Sequence, residues 1–129
     1  MKMVGESVDQ IVIDFHVELR FSNQSLISFG GAFEIIERAD TCSVVRPGED
    51  KASLLPVLNL HTLVVTDVRL DDRSLEIAFE SGHVLRCEPS SDFEAWQYAG
   101  PENPATMMIS MPGGEVAIWR GGSGTEAKL

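Results

Sequence analysis

Along most of this chain apolar and polar residues alternate with a period of two, the pattern of strands with one buried and one wet face. The clearest stretch is Leu75 to Cys87, LEIAFESGHVLRC. Leu75, Ile77 and Phe79 alternate with Glu76, Ala78 and Glu80, a Ser81–Gly82 step follows, and His83 to Cys87 is extended again. This predicts a β-hairpin with a two-residue turn. From Ile11 to Phe21 the odd positions are all apolar, with Asp14, His16, Glu18 and Arg20 between them, which predicts one long strand. Ser22–Gln24 turns the chain, Ser25–Phe29 returns, and Gly30–Gly31 marks a bulge or bend. Phe33–Arg38 and Cys42–Val45 read as further strands around a turn at Ala39–Thr41.

The texture changes at Asp50 to His61. Here Leu54, Leu55, Val57 and Leu58 form an apolar face, Ser53 can cap, and Pro56 is tolerated in the first turn, so a short helix is expected. Then come a strand over Thr62–Leu70, a turn at Asp71–Asp72, the hairpin, a loop at Pro89–Asp92, and a strand over Phe93–Tyr98. After the loop Gly100–Pro104, Met107–Met111 and Glu115–Trp119 form a last hairpin through Pro112–Gly113–Gly114.

The chain also repeats itself. Val17–Phe29 matches Leu75–Cys87 nearly position for position: Glu18 with Glu76, Leu19 with Ile77, Phe21 with Phe79, Ile27 with Leu85. QIVID resembles TLVVTDV, Phe33–Arg38 resembles Phe93–Tyr98, and Arg46–Glu49 resembles Met111–Glu115, the offset growing from about 58 to about 65. The expected fold is mainly β, at the margin of α+β. Two duplicated strand–hairpin–strand–strand units pack as a sandwich or curved sheet, joined by one short helix near 51–61. Residues 1–120 form a single domain, with halves at about 10–49 and 62–119, a connector at 50–61, and a flexible tail at 121–129.

Composition narrows the function. A net charge of −10 is spread along the 129 residues without a basic patch, which argues against a nucleic-acid partner and favours a basic protein. With 43% hydrophobic residues the chain is not disordered. MKMVGESVDQ has no apolar run of a secretory signal, and no stretch is long enough for a membrane span. Cys42 and Cys87 show no metal or redox spacing and read as reduced cysteines in a cytoplasmic protein, with a disulfide between the halves as the alternative.

Candidate chemistry is sparse. Asp14, His16 and Glu18 share one strand face, where neighbours do not converge as metal ligands must. Glu18 and Glu76 occupy equivalent positions and could form a carboxylate pair, but a solvated face explains them as well. His61 and His83 follow the helix and the hairpin turn without companions. No hydrolase elbow, phosphate loop or metalloprotease motif is present, so no catalytic residue, metal or cofactor is expected. Aromatics are the better lead. Trp96 and Tyr98 share a strand face, Trp119 ends the last strand, and Glu94 and Glu115 flank them, so these five residues are the candidate binding set. Core packing is the competing explanation for the aromatics.

FEAWQYAGP followed by MISMPGGEVAIW resembles the end of an uncharacterised bacterial family of unknown function, through Gly82, Leu85, Glu94, Ala95, Trp96, Pro112, Gly113, Gly114, Glu115, Ala117 and Trp119. The resemblance is good over the second half and loose over the first, and it implies a bacterial, cytoplasmic protein with no catalytic residues to carry over. The expected function is a non-catalytic protein-interaction domain, most sharply an immunity-type protein covering a basic partner, with a homodimer as a further option. The alternative is a small-ligand-binding protein or enzyme using a pocket between the halves, lined by His16, Glu18, Glu76 or Trp96.

Overall fold

The computed structural model describes residues 1–38 and 41–122, so the tail expected over 121–129 lies, from residue 123 on, outside the described residues. The strands are β1 (Val8–Ile13), β2 (Val17–Phe21), β3 (Leu26–Phe29), β4 (Phe33–Arg38) and β5 (Thr41–Val45). A 3₁₀ turn (Lys51–Leu54) and α1 (Leu55–Leu58) follow, and then β6 (Val65–Asp71), β7 (Ser74–Phe79), β8 (Val84–Cys87), β9 (Trp96–Ala99), β10 (Met107–Ser110) and β11 (Val116–Trp119). The fold is mainly β: two antiparallel sheets packed together and not closed. One sheet has the order β1-β2-β3-β9-β10-β11 and the other β5-β4-β8-β7-β6.

That order shows how the duplicated sequence is used. β1, β2 and β3 correspond to β6, β7 and β8, down to a register shift at the start of β1 and another at the start of β6. Each half then sends its next two strands across to the other sheet. β4 pairs with β8, and β9 pairs with β3, so each sheet is completed by strands of the opposite half. Ile27 lies between Leu19 and Tyr98, as Leu85 lies between Ile77 and Ile35. Tyr98 therefore stands where Ile35 does. The match of Phe33–Arg38 with Phe93–Tyr98 is thus three residues out of register, because the loop before β9 is longer.

Alternation places the core. Val17, Leu19, Phe21, Ile27 and Phe29 from one sheet meet Phe33, Ile35, Leu75, Ile77, Phe79 and Leu85 from the other in one buried cluster. The two sheets are tied where β1 and β6 begin. Ser7 bridges to Val64, Val8 donates to the Leu63 carbonyl at 3.0 Å, and Thr62 donates to the Val8 carbonyl at 2.8 Å.

Several local expectations are corrected. The long strand Ile11–Phe21 breaks at Asp14–Phe15–His16, where the Asp14 carboxylate accepts the His16 backbone N–H at 2.6 Å and holds a tight turn. Phe15, an apolar odd position, is consequently 80% exposed. The Leu75–Cys87 hairpin turns through Glu80, Ser81 and Gly82 rather than two residues, closed by Phe79 N–H to His83 O at 2.9 Å. Ser22–Gln24 makes the same turn, closed by Phe21 N–H to Ser25 O, with Gln24 taking the left-handed conformation that Gly82 takes. The expected helix is shorter: Asp50 caps the 3₁₀ turn, α1 has no side-chain cap from Ser53 or any other residue, and Val57 and Leu60 are buried while Leu55 and Leu58 face solvent. Phe93 lies outside β9, because the backbone bends through Ser91–Phe93 before the strand starts.

Candidate functional site

Six connections gather at one end of the sandwich: the β1–β2, β6–β7 and β10–β11 turns, the β3–β4 link, the segment leaving β5, and the loop from β8 to β9. They support one another. The Phe15 carbonyl abuts Gly48, Gly113 donates its N–H to the Ser90 carbonyl at 2.7 Å, and Arg73 Nη1 donates to the Gly113 carbonyl at 2.9 Å. In the β10–β11 turn Gly113 and Gly114 both have positive φ, which side-chain-bearing residues adopt poorly.

On the outer side of this end, a groove of about 700 Å³ runs between His16, Ser28, Gly30, Phe93, Glu94, Gln97 and Pro112. Ser28 and Gln97 are directly paired on β3 and β9 and form its floor. The two consecutive glycines build its walls. The His16 ring lies against Gly30, and the Phe93 ring lies so close over Gly31 that a Cβ there would sit 2.5 Å from two ring atoms. Gln97 Nε2 donates to Glu94 Oε1 at 2.6 Å and holds that carboxylate at the rim. Beside His16 the Asp14 carboxylate lies 3.4 Å from its Nδ1. The His16 backbone N–H holds the Asp14 carboxyl below its usual range.

Around the groove the loops carry Asp14, Glu49, Asp50, Asp72, Asp92, Glu94 and Glu115 against Arg46 and Arg73. The aromatic side chains that emerge among them are Phe15 and Phe93, the latter 47% exposed. The wet face of the second sheet is different: it is crossed by paired charges. Arg86 reaches Glu76 at 3.4 Å and Glu88 at 2.9 Å, while Arg69 reaches Asp67 at 2.8 Å. Ser74 donates to Glu88, which together with Arg86 lowers that carboxyl.

The five candidate binding residues are not brought together. Trp96 and Tyr98 are 0% and 1% exposed and stand among the largest core side chains, so they present no face to a partner. The Tyr98 hydroxyl surfaces only far enough to accept the Lys2 backbone N–H at 2.8 Å. Trp119 is 54% exposed on β11, and Glu115 is exposed at the β10–β11 turn. Glu94 alone of the five lines the groove. Nor do His16, Glu18, Glu76 and Trp96 converge. Glu18 and Glu76 lie on the outward positions of opposite sheets, His16 is at the loop end, and Trp96 is in the core. Cys42 and Cys87 are free thiols, Cys42 exposed beside Glu34 and Cys87 buried with its pKa pushed up to about 12. Among the described residues no three metal-ligating side chains gather, and no helix is long and apolar enough to cross a membrane.

Sequence reasoning missed Phe15, Phe93, Ser28 and Gln97. One signal was available: the 58-residue offset that matches Glu18 with Glu76 places Asp14 on Asp72 and Phe15 on Arg73, so the turn expected at Asp71–Asp72 marks Asp14–His16 as a turn and Phe15 as its tip.

Fold and surface together define an internally duplicated, two-sheet antiparallel β-sandwich whose halves exchange strands and whose loop end is acidic and aromatic-tipped. The chain belongs to DUF6188, a family of unknown function, which matches residues 1–120. No curated protein and no solved structure matches it.

Proposed function

We propose that this chain is a non-catalytic protein-interaction domain of the bacterial cytoplasm, and that its acidic loop end receives a basic segment of another protein, as an immunity-type protein covers a basic partner. The observation that carries this is the conjunction of two exposed phenylalanines, Phe15 and Phe93, with a groove lined by Glu94 and by His16, which Asp14 pairs, in a chain of net charge −10. Aromatic anchors supply desolvated contact, and the surrounding carboxylates steer a cationic partner and fix its register. An arginine laid over the Phe93 ring within reach of Glu94 would gain both a cation–π contact and a charge-assisted hydrogen bond. Two free cysteines suit a reducing compartment. The inner faces of the sheets are occupied by one continuous cluster of side chains, which favours this surface over a cavity between the sheets.

Affinity capture from the native cell, followed by native mass spectrometry, tests the proposal. A stoichiometric basic partner is expected, released as salt is raised and weakened by Phe93→Ala and by Glu94→Lys. Absence of any stoichiometric partner, or a partner held equally by both variants, overturns it.

A further inference from the structure

The duplication leaves one strand over. After β5 the Arg46–Pro47–Gly48 turn leads into the 3₁₀ turn and α1, whereas after β10 the equivalent Met111–Pro112–Gly113 turn leads into β11, which extends the first sheet to a new edge. Sheet edges are sites of unwanted pairing and are normally blunted. The other three edges are. β1 and β6 carry register shifts and meet each other at their starts, and the 3₁₀ turn and α1 pack beside β5. β11 is regular, contains neither charge nor proline, and exposes Ile118 and Trp119.

The hydrogen-bond phase of this edge follows from the turn that feeds it. Met111 N–H donates to the Glu115 carbonyl at 2.7 Å, so with the β10–β11 register Ala117 and Trp119 turn their backbone groups toward β10. Val116 and Ile118 turn theirs outward, and Arg120 follows β11. The geometry points to the occupant of this edge being β11 of a second copy of the chain, paired antiparallel about a two-fold axis at Ile118. Outward-facing residues must meet outward-facing residues in such a ladder. Ile118 therefore lies opposite Ile118 of the second copy, and Val116 opposite Arg120. On the alternate positions Trp119 falls opposite Ala117, large upon small, in both directions.

Charge selects the same place. Two chains of net charge −10 repel, yet β9, β10 and β11, reading WQYA, MMIS and VAIW, hold no charged residue. Glu115 and Arg120 flank β11 and cancel. On the outer face Met107 sits directly opposite Trp119, and Ile109 opposite Ala117, so the apolar band runs unbroken to the edge. This is the part of the surface where like-charged copies can approach without bringing like charges together.

Sedimentation equilibrium and hydrogen exchange on the full 129-residue chain test this. A concentration-dependent dimer is expected, with the Val116 and Ile118 amides protected at high concentration and exchanging freely on dilution. Ile118→Lys sets like charges face to face on the axis and should weaken the dimer by at least about tenfold. Ile118→Pro removes an outward donor without touching the β10 ladder and should do the same. A monomer at every concentration overturns the inference, as does a dimer that survives both variants. Protection of the same amides in a species of monomer mass also overturns it, by showing that the chain covers its own edge.

Discussion

Ile27 and Leu85 hold equivalent central positions in different sheets, each fully buried and each bracketed by one strand of its own half and one of the other. Truncating either to alanine removes methyl groups from the one cluster that both sheets share. Such substitutions cost about 3 kcal/mol, within a range of about 2–5. That is a large part of the roughly 5–15 kcal/mol that holds a domain together, and corresponds to a fall in Tm of about 10 °C at this size. The exchange of strands adds a sharper requirement: both substitutions must destabilise the whole molecule together. Trp96 is buried in the first sheet and Trp119 is exposed, so a Trp119→Phe background leaves Trp96 as the reporter of that sheet. In dilute urea titrations Leu85→Ala, which lies in the second sheet, should move the Trp96 fluorescence transition as far as Ile27→Ala does. It should also keep that transition coincident with loss of far-ultraviolet circular dichroism. If Leu85→Ala leaves the Trp96 transition in place and an earlier separate phase appears in the dichroism, the two halves unfold independently and the shared core is refuted.

Further outcomes follow from single contacts. Iodoacetamide at pH 8 should add one label to the native protein, on exposed Cys42, because the Cys87 thiol is buried with its pKa pushed up to about 12; two labels before unfolding would contradict this. Glu34→Gln should speed labelling of Cys42, since the carboxylate hydrogen-bonded to that thiol raises its pKa. Glu88 is lowered by the Ser74 hydroxyl and by Arg86, so its contribution to stability is present above the ordinary carboxylate range and is lost as pH falls through the lowered value. Ser74→Ala should move the Glu88 carboxyl titration, followed by carbon NMR, upward, and an unmoved curve would remove the hydroxyl from the account. Gly31→Ala should displace the Phe93 ring and abolish its contacts with residue 31 in NOE spectra. The exposed ring can swing away, so stability should fall by no more than about 1 kcal/mol.

Period-two alternation made most strands legible, β4 to the residue, because strands with one face buried leave no other arrangement for Phe33, Ile35 and their polar neighbours. The repeat was legible too, and with it the two-layer packing. The exchange of β4–β5 and β9–β10 between sheets was not, since which sheet a hairpin joins depends on long-range pairing that no local pattern encodes. Alternation also misled at Phe15, where a local Asp14–His16 hydrogen bond overrides the period; at Trp96 and Tyr98 it gave their shared face but not that this face is the core. Of the groove, only Glu94 stood among the five candidate binding residues. Its other walls arise from residues far apart in the chain meeting over Gly30 and Gly31.

The crossing of strands between halves carries a consequence for ancestry. In one half alone, β3 ends its sheet with an open flank and the following two strands have nothing of their own to lie beside. A half-length chain of this design completes its hydrogen bonding only by meeting another, so the duplicated gene reads as two mutually dependent molecules fused end to end. In a single chain the short 3₁₀ and α1 connector makes that encounter intramolecular, at an effective concentration set by the tether and independent of protein concentration. The second half differs from the first in its longer loop before β9 and in β11, where the first has the connector.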